Sequence, residues 1–241
     1  MHRTIRLVAA VTIGLVALSG CDRFTEAASP EPSDNGVSAL SGEEILAKAQ
    51  SALEGAKSFR FKGDVSLDEA GRLAFDVKIR DQDLIGTFTM SGGGAGSPQG
   101  KVEALRVNGQ TYFKGDETFW KSAGGKNAGA AIELFEGKWV RPKPGDKFFA
   151  SLLKLTEPED FLKADGPITK GEPKKIGELD AIALKDGESS LFVATKGEPF
   201  PLRLEGPPGE GQAEFSEFGA AFDEIKEPPA DQVVDMSKLQ T

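Results

Sequence analysis

The side chains able to do covalent or acid–base chemistry are few. The chain has 241 residues with one cysteine, Cys21, one histidine, His2, and one tyrosine, Tyr112. Downstream of His2 nothing supplies an imidazole. That excludes Ser-His-Asp and Cys-His arrangements there, and His-ligated zinc and iron sites. Catalysis would fall to carboxylates, Lys, Ser or Tyr112. Carboxylates lie close in sequence at Glu43-Glu44, at Asp81 with Asp83, and at Glu157 with Glu159. Such pairs perform glycoside hydrolysis at the right separation, but any acidic chain offers them as solvated surface. Nothing near Asp81 completes a calcium loop with its alternating oxygen ligands, central Gly and closing Glu. The Gly-rich run 91–101, SGGGAGSPQGK, ends in Lys101 followed by Val102, where a phosphate loop needs Ser or Thr to meet magnesium. It reads as a loop joining two strands. These residues point to no catalytic group, no metal and no cofactor, hence to a protein that is not an enzyme; a carboxylate hydrolase is the enzymatic alternative.

Cys21 is the exception. It ends an apolar run, Leu7 to Leu18, that follows the basic residues Arg3 and Arg6. The run is shorter than the roughly 20 residues that span a bilayer, and fits the h-region of a secretory signal. Leu18-Ser19-Gly20-Cys21 resembles the bacterial lipobox. The resemblance implies cleavage between Gly20 and Cys21 and a diacylglyceryl thioether on the Cys21 sulfur. An ordinary cleaved signal with an incidental cysteine is the alternative. Two acyl chains anchor stably where one binds marginally. An aspartate after the cysteine, as at Asp22, resembles a Gram-negative inner-membrane retention signal. The expected location is the extracytoplasmic face of the cell membrane. Cleavage would remove Arg3 and Arg6 from 29 basic residues, leaving 27 against 38 acidic ones, a charge of −11. That disfavours nucleic acid and electrostatic docking on anionic lipid, so the anchor would hold the protein to the membrane. With one cysteine, no internal disulfide forms.

The elements follow from periodicity. Residues 22–40 are rich in Ser, Pro, Glu and Asp and read as a disordered tether, giving a lipidated tether over 21–40 and a single domain over 41–241. Ser41 and Glu44 have capping-box spacing, opening a helix with Ile45, Leu46, Ala49 and Leu53 on one face. Strict alternation in 58–67 and 72–80 predicts antiparallel strands with one buried face, continued by 83–90, 100–109 and 110–120 with a turn at Asn108-Gly109. Helical period returns at 128–135 and 146–155, and Thr156 with Glu159 opens a third short helix through Phe161 and Leu162. Strands resume at 167–175, 178–186, 189–195, 199–205 and 211–218, and the C-terminal segment is extended at Pro228-Pro229. Without regular βαβ alternation a parallel nucleotide-binding sheet is disfavoured. The expected fold class is α+β, mainly β: one curved antiparallel sheet, a half-barrel, with helices on its concave face.

Aromatic residues gather at 112–121, YFKGDETFWK, and 137–142, GKWVRP. They either fill the core or line an apolar cavity under a helical lid. Together with SFRFKGDVSL, VNGQTYFKGDETFW, PFPLRLEG and KEPPADQVVD, the lipobox and leading helix resemble actinobacterial lipoproteins of the LppX/LprG type and, more distantly, the LolA-like superfamily. The resemblance implies a half-barrel whose cavity holds lipid or lipoglycan acyl chains. Candidate cavity-lining residues are Phe75, Phe88, Phe113, Trp120, Trp139, Phe148, Phe149, Leu152, Leu153 and Phe161. Expected partners are the membrane, through Cys21, and a lipid or lipoglycan; the chain is expected to be a monomer. The alternative is the same fold with a filled core, acting as a surface interaction or sensing lipoprotein.

Overall fold

Alternating apolar and polar side chains build the sheet. In the computed structural model the described residues are 32–67, 69, 71–94, 96–154, 157, 162–164 and 166–239. Cys21, the expected signal segment, the expected Thr156/Glu159 capping box and Phe161 lie outside them. The strands are β1 (Ser58–Ser66), β2 (Arg72–Arg80), β3 (Asp83–Ser91), β4 (Gly100–Val107), β5 (Gln110–Gly115), β6 (Trp139–Arg141), β7 (Thr169–Ile176), β8 (Leu179–Asp186), β9 (Ser189–Ala194), β10 (Pro201–Glu205), β11 (Gly211–Ser216) and β12 (Val233–Asp235). They form one sheet ordered β12-β6-β5-β4-β3-β2-β1-β11-β10-β9-β8-β7. Strand β1 pairs with β11, so the two meanders of the chain join at its middle. The sheet is open and curved, the expected half-barrel, with one departure: β12 runs parallel to β6, which makes the sheet mixed at that edge. At the other edge, β7 carries Pro173, Lys174 and Lys175 and a register irregularity between Lys170 and Pro173, features that blunt strand-to-strand aggregation.

Among the described residues four α-helices pack on the concave face: α1 (Gly42–Ala56), α2 (Glu117–Gly124), α3 (Ala128–Phe135) and α4 (Lys147–Lys154). The capping box at α1 forms as expected, with Ser41 Oγ accepting from Glu44 N–H and the Glu44 carboxylate accepting from Ser41 N–H at 2.9 Å. The Ser41 contacts hold the Glu44 carboxyl below the usual carboxylate range. Ile45, Ala49 and Leu53 are buried against Phe59 and Phe61 of β1, Val77 and Ile79 of β2, and Ile182 and Val193 of the second meander, in one core.

Two expectations need correction. The strand expected over 110–120 ends at Gly115, because Asp116 caps α2 by accepting from Phe119 N–H at 2.7 Å. And the tether expected over 21–40 is part of the folded domain from Ser33 on. Gly197 N–H donates to Ser33 O at 2.9 Å and Asn35 N–H to Thr195 O at 3.0 Å, and Val37 is 1% exposed. The composition of 32–40 is that of a linker, but Asn35 and Val37 supply a turn and an apolar plug that dock it.

The outer face is covered over part of its width by residues 217–227. Ser58 Oγ donates to Ala220 O, and the Arg80 guanidinium donates to the carbonyls of Ala221, Phe222 and Ile225. Phe222 and Ile225 thereby bury Leu105, Val107 and Tyr112. Arg60 forks onto both oxygens of Asp76 at 2.7 and 2.6 Å. These bonds hold the Asp76 carboxyl below the usual carboxylate range.

Candidate functional site

The expected cavity residues come together, but mostly against one another. Phe113 of β5 is fully buried and stacks on Phe149 of α4 with ring centroids 4.0 Å apart. Phe148 meets Phe149 edge-on at 5.1 Å and lies 5.6 Å from Phe119, which in turn meets Trp120. Trp120 lies 4.9 Å from Phe135 of α3. Phe75, Phe88 and Leu152 are buried in the same core, with Phe148 and Leu153 partly buried against it. Aromatic pairs at these separations contribute about 0.5–1.5 kcal/mol each beyond area burial. Under α2–α4 the half-barrel is therefore packed with side chains. The indole N–H of Trp120 is buried there without a hydrogen-bond partner among the described residues.

Trp139 is placed elsewhere. Val140, its neighbour, pairs with Phe113 on the concave side. Alternation along β6 turns Trp139 to the outer face, beside Leu105, Tyr112 and Val233 and under the Lys114 ammonium at 5.7 Å from the ring. It lines no cavity under the helices.

Open space lies instead beside α1. A groove of about 430 Å³ runs between the C-terminal half of α1 and strands β1 and β2. Leu53, Phe59, Ile79 and Leu162 give it apolar walls, and Gln50, Glu54, Lys57, Asp81 and Lys163 form its rim. Its volume is within the range of about 300–1,000 Å³ common to small-molecule sites. A second space of about 190 Å³ lies beyond Leu162, against Leu46, Ile168, Leu184, Leu191 and Leu204. Leu162 borders both. It is 3% exposed, and its carbonyl accepts from the Gln50 side-chain amide at 2.9 Å. The mouth of the larger groove is fixed where Asp81 N–H donates to Lys57 O at 2.7 Å. Beside it a polar basin of about 530 Å³ includes Asp81, Asp83, Arg106 and Asn108.

None of the nine expected cavity residues that the structure describes lines either space. Sequence periodicity places Leu53, Phe59 and Ile79 on buried faces, as it places the aromatic residues. What separates the two sets is the fit between helices and sheet, for which a single sequence holds no signal. Two of the paired carboxylates have structural partners: Glu44 is the capping-box acid, and Asp83 accepts from Asn108 N–H at 3.1 Å in the turn.

No family model matches the sequence, and no curated protein matches it. Among solved structures, LprF from Mycobacterium bovis aligns over 82% of this chain and 99% of its own at 15% identity, with a TM-score of 0.52. An uncharacterized conserved protein from Thermus thermophilus aligns over 80% and 98% at 15% identity, with a TM-score of 0.39. A LolA superfamily protein from Nitrosomonas europaea aligns over 80% and 96% at 10% identity, with a TM-score of 0.23. The likeness to LprF is one of fold: a long curved sheet closed on one face by helices. It is the architecture implied by the sequence resemblance to LppX/LprG-type lipoproteins, and in fold this chain is similar to them.

Proposed function

We propose that this protein is a membrane-anchored envelope lipoprotein that holds an acyl chain of a lipid between α1 and the sheet. The observation that carries this reading is the 430 Å³ groove with its apolar walls and charged rim. A chain seated there leaves water for Leu53, Phe59, Ile79 and Leu162, at about 0.8 kcal/mol per buried methylene, while a polar headgroup remains at the rim. The groove replaces the aromatic cavity expected from sequence. Binding, without bond making, is the proposed activity; anchoring through Cys21 rests on the lipobox resemblance. Titration with a pyrene-labelled fatty acid tests the groove. Leu53→Trp, which fills it, is expected to weaken binding at least about tenfold, the loss of roughly 1.4 kcal/mol. Unchanged affinity would place the ligand elsewhere. Metabolic labelling with palmitate, lost in Cys21→Ser, tests the anchor.

A second reading is favoured by the stacked Phe113–Phe149 pair and its neighbours, which fill the space under α2–α4. On it the protein is a surface interaction or sensing lipoprotein with a solid core. Lipid recovered with the purified domain would count against it.

A further inference from the structure

We infer that the domain meets the bilayer with the end of the sheet at which the groove opens, so that a chain passes between membrane and groove without the domain leaving the surface. The inference rests on the proposed anchor at Cys21 and adds an orientation to it.

The position at which the chain enters the fold carries the inference. Ser33 and Asn35 are hydrogen-bonded to the Thr195–Gly197 segment, and Asp34 bridges to Lys196. The Asn35 side-chain amide also donates to Ala194 O and Gly197 O, both at 3.0 Å. This segment follows β9. Through the ladders of the sheet, the end of β9 lies at the same end as the beginning of β1 and the end of β2: Ala194 opposes Ala181 of β8, Val193 opposes Pro201 of β10, and β11, which follows β10 back, ends with Ser216 opposite Arg60. Arg60 lies two residues past Ser58, which opposes Arg80. Lys57 and Asp81, at the mouth of the groove, are the residues immediately outside this last pair. The entry point of the chain and the mouth of the groove therefore share one end of the sheet.

Eleven residues separate Cys21 from Ser33, a covalent reach of at most about 40 Å. Strand β2, of nine residues, spans about 30 Å. With the groove end toward the bilayer, the whole reach is available to set the height of the domain. With the opposite end toward it, some 30 Å of that reach would run alongside the sheet, leaving the domain pulled flat against the headgroups. The charge of −11 left after cleavage offers no electrostatic attraction to an anionic surface that could enforce that inverted pose. The occupant of this face is accordingly a lipid surface, and the mouth residues Lys57 and Asp81 are the ones closest to it.

The test uses the full-length chain, acylated in a bacterial host and reconstituted in phosphatidylcholine vesicles that carry a rhodamine headgroup acceptor. Acylation consumes Cys21, so Leu179→Cys and Leu67→Cys each present one thiol for a donor dye. Leu179 begins β8 at the groove end and is 53% exposed; Leu67 follows β1 at the opposite end and is 36% exposed. Glu178→Cys and Glu69→Cys, both at exposed positions, repeat the comparison should either leucine variant fold poorly. For ends about 30 Å apart, energy transfer to the vesicle surface is expected to be at least about twofold greater from 179 than from 67. Flotation with the vesicles but equal transfer from both ends, or greater transfer from 67, overturns the orientation and leaves the anchor standing. Failure to float with the vesicles overturns the anchor and the orientation with it.

Discussion

Leu162→Ala is the most informative single change, because its buried side chain, next to Lys163, borders two cavities. Leu162 is 3% exposed and borders spaces of about 430 and 190 Å³. Leu→Ala in a core costs about 2–5 kcal/mol, rising with the void left behind. At 3% exposure the side chain is enclosed almost all round, so the expected loss is about 2–5 kcal/mol, read as a shift in the midpoint of urea unfolding at constant slope. The bond from the Gln50 side-chain amide to Leu162 O survives the substitution and keeps the segment in place. Removing the side chain is expected to join the two spaces. Binding should then favour longer chains. Each added methylene that is buried is worth about 0.8 kcal/mol, or about fourfold in affinity. Titration with saturated fatty alcohols of increasing length would show the wild type reaching its plateau earlier than the variant. A stability loss under about 1 kcal/mol together with an unchanged length profile would refute the assignment of Leu162 as the wall between them.

Two further predictions concern the packed parts of the molecule. Phe113→Ala removes a fully buried ring stacked on Phe149 and is expected to cost about 3–5 kcal/mol. Trp139→Ala, at a partly exposed outer-face position, should cost clearly less; parallel denaturation curves decide, and equal losses would contradict the placement of the two rings on opposite faces. Asp76 has a folded-state pKa depressed by its hydrogen bonds from Arg60. Its stabilisation is therefore fully present above the unfolded carboxylate value, near 4, and is lost as pH falls toward the lower folded value. Thermal melts from neutral to acid pH should show a shallower acid limb in Asp76→Asn than in the wild type, and superimposable profiles would remove Asp76 from the acid response.

Much of the sheet is legible in the sequence, for a physical reason. A half-buried antiparallel strand must alternate, so Phe59, Phe61 and Val65 in β1 and Leu73, Phe75, Val77 and Ile79 in β2 announce both strands and their buried faces. Asn108-Gly109 announces the β4–β5 turn, where Asn108 adopts φ 52° and Gly109 φ 72°, as a two-residue hairpin of the primed type requires. The helix at 128–135 coincides with α3. Helix α2 escapes notice because its aromatic residues, Phe119 and Trp120, continue the apparent strand; Asp116 followed by Glu117 is the local cap signal that separates them. The pairing of β12 with β6 is less legible still, because three residues carry no period and the partner is distant in sequence. The site is the least legible part. Aromatic residues that could line a cavity or fill a core have the same sequence pattern in either case. The groove exists because α1 and Leu162 leave room beside Phe59 and Ile79.

The central claim is that an acyl chain occupies this groove, and native mass spectrometry tests it most directly. The chain from Asp22 on, expressed in a bacterial host and purified without detergent, should carry an adduct of lipid mass that disappears in Leu53→Trp. A bare polypeptide mass, together with no uptake of lipid from added vesicles, would contradict the claim and leave the solid-core interaction protein as the reading that stands.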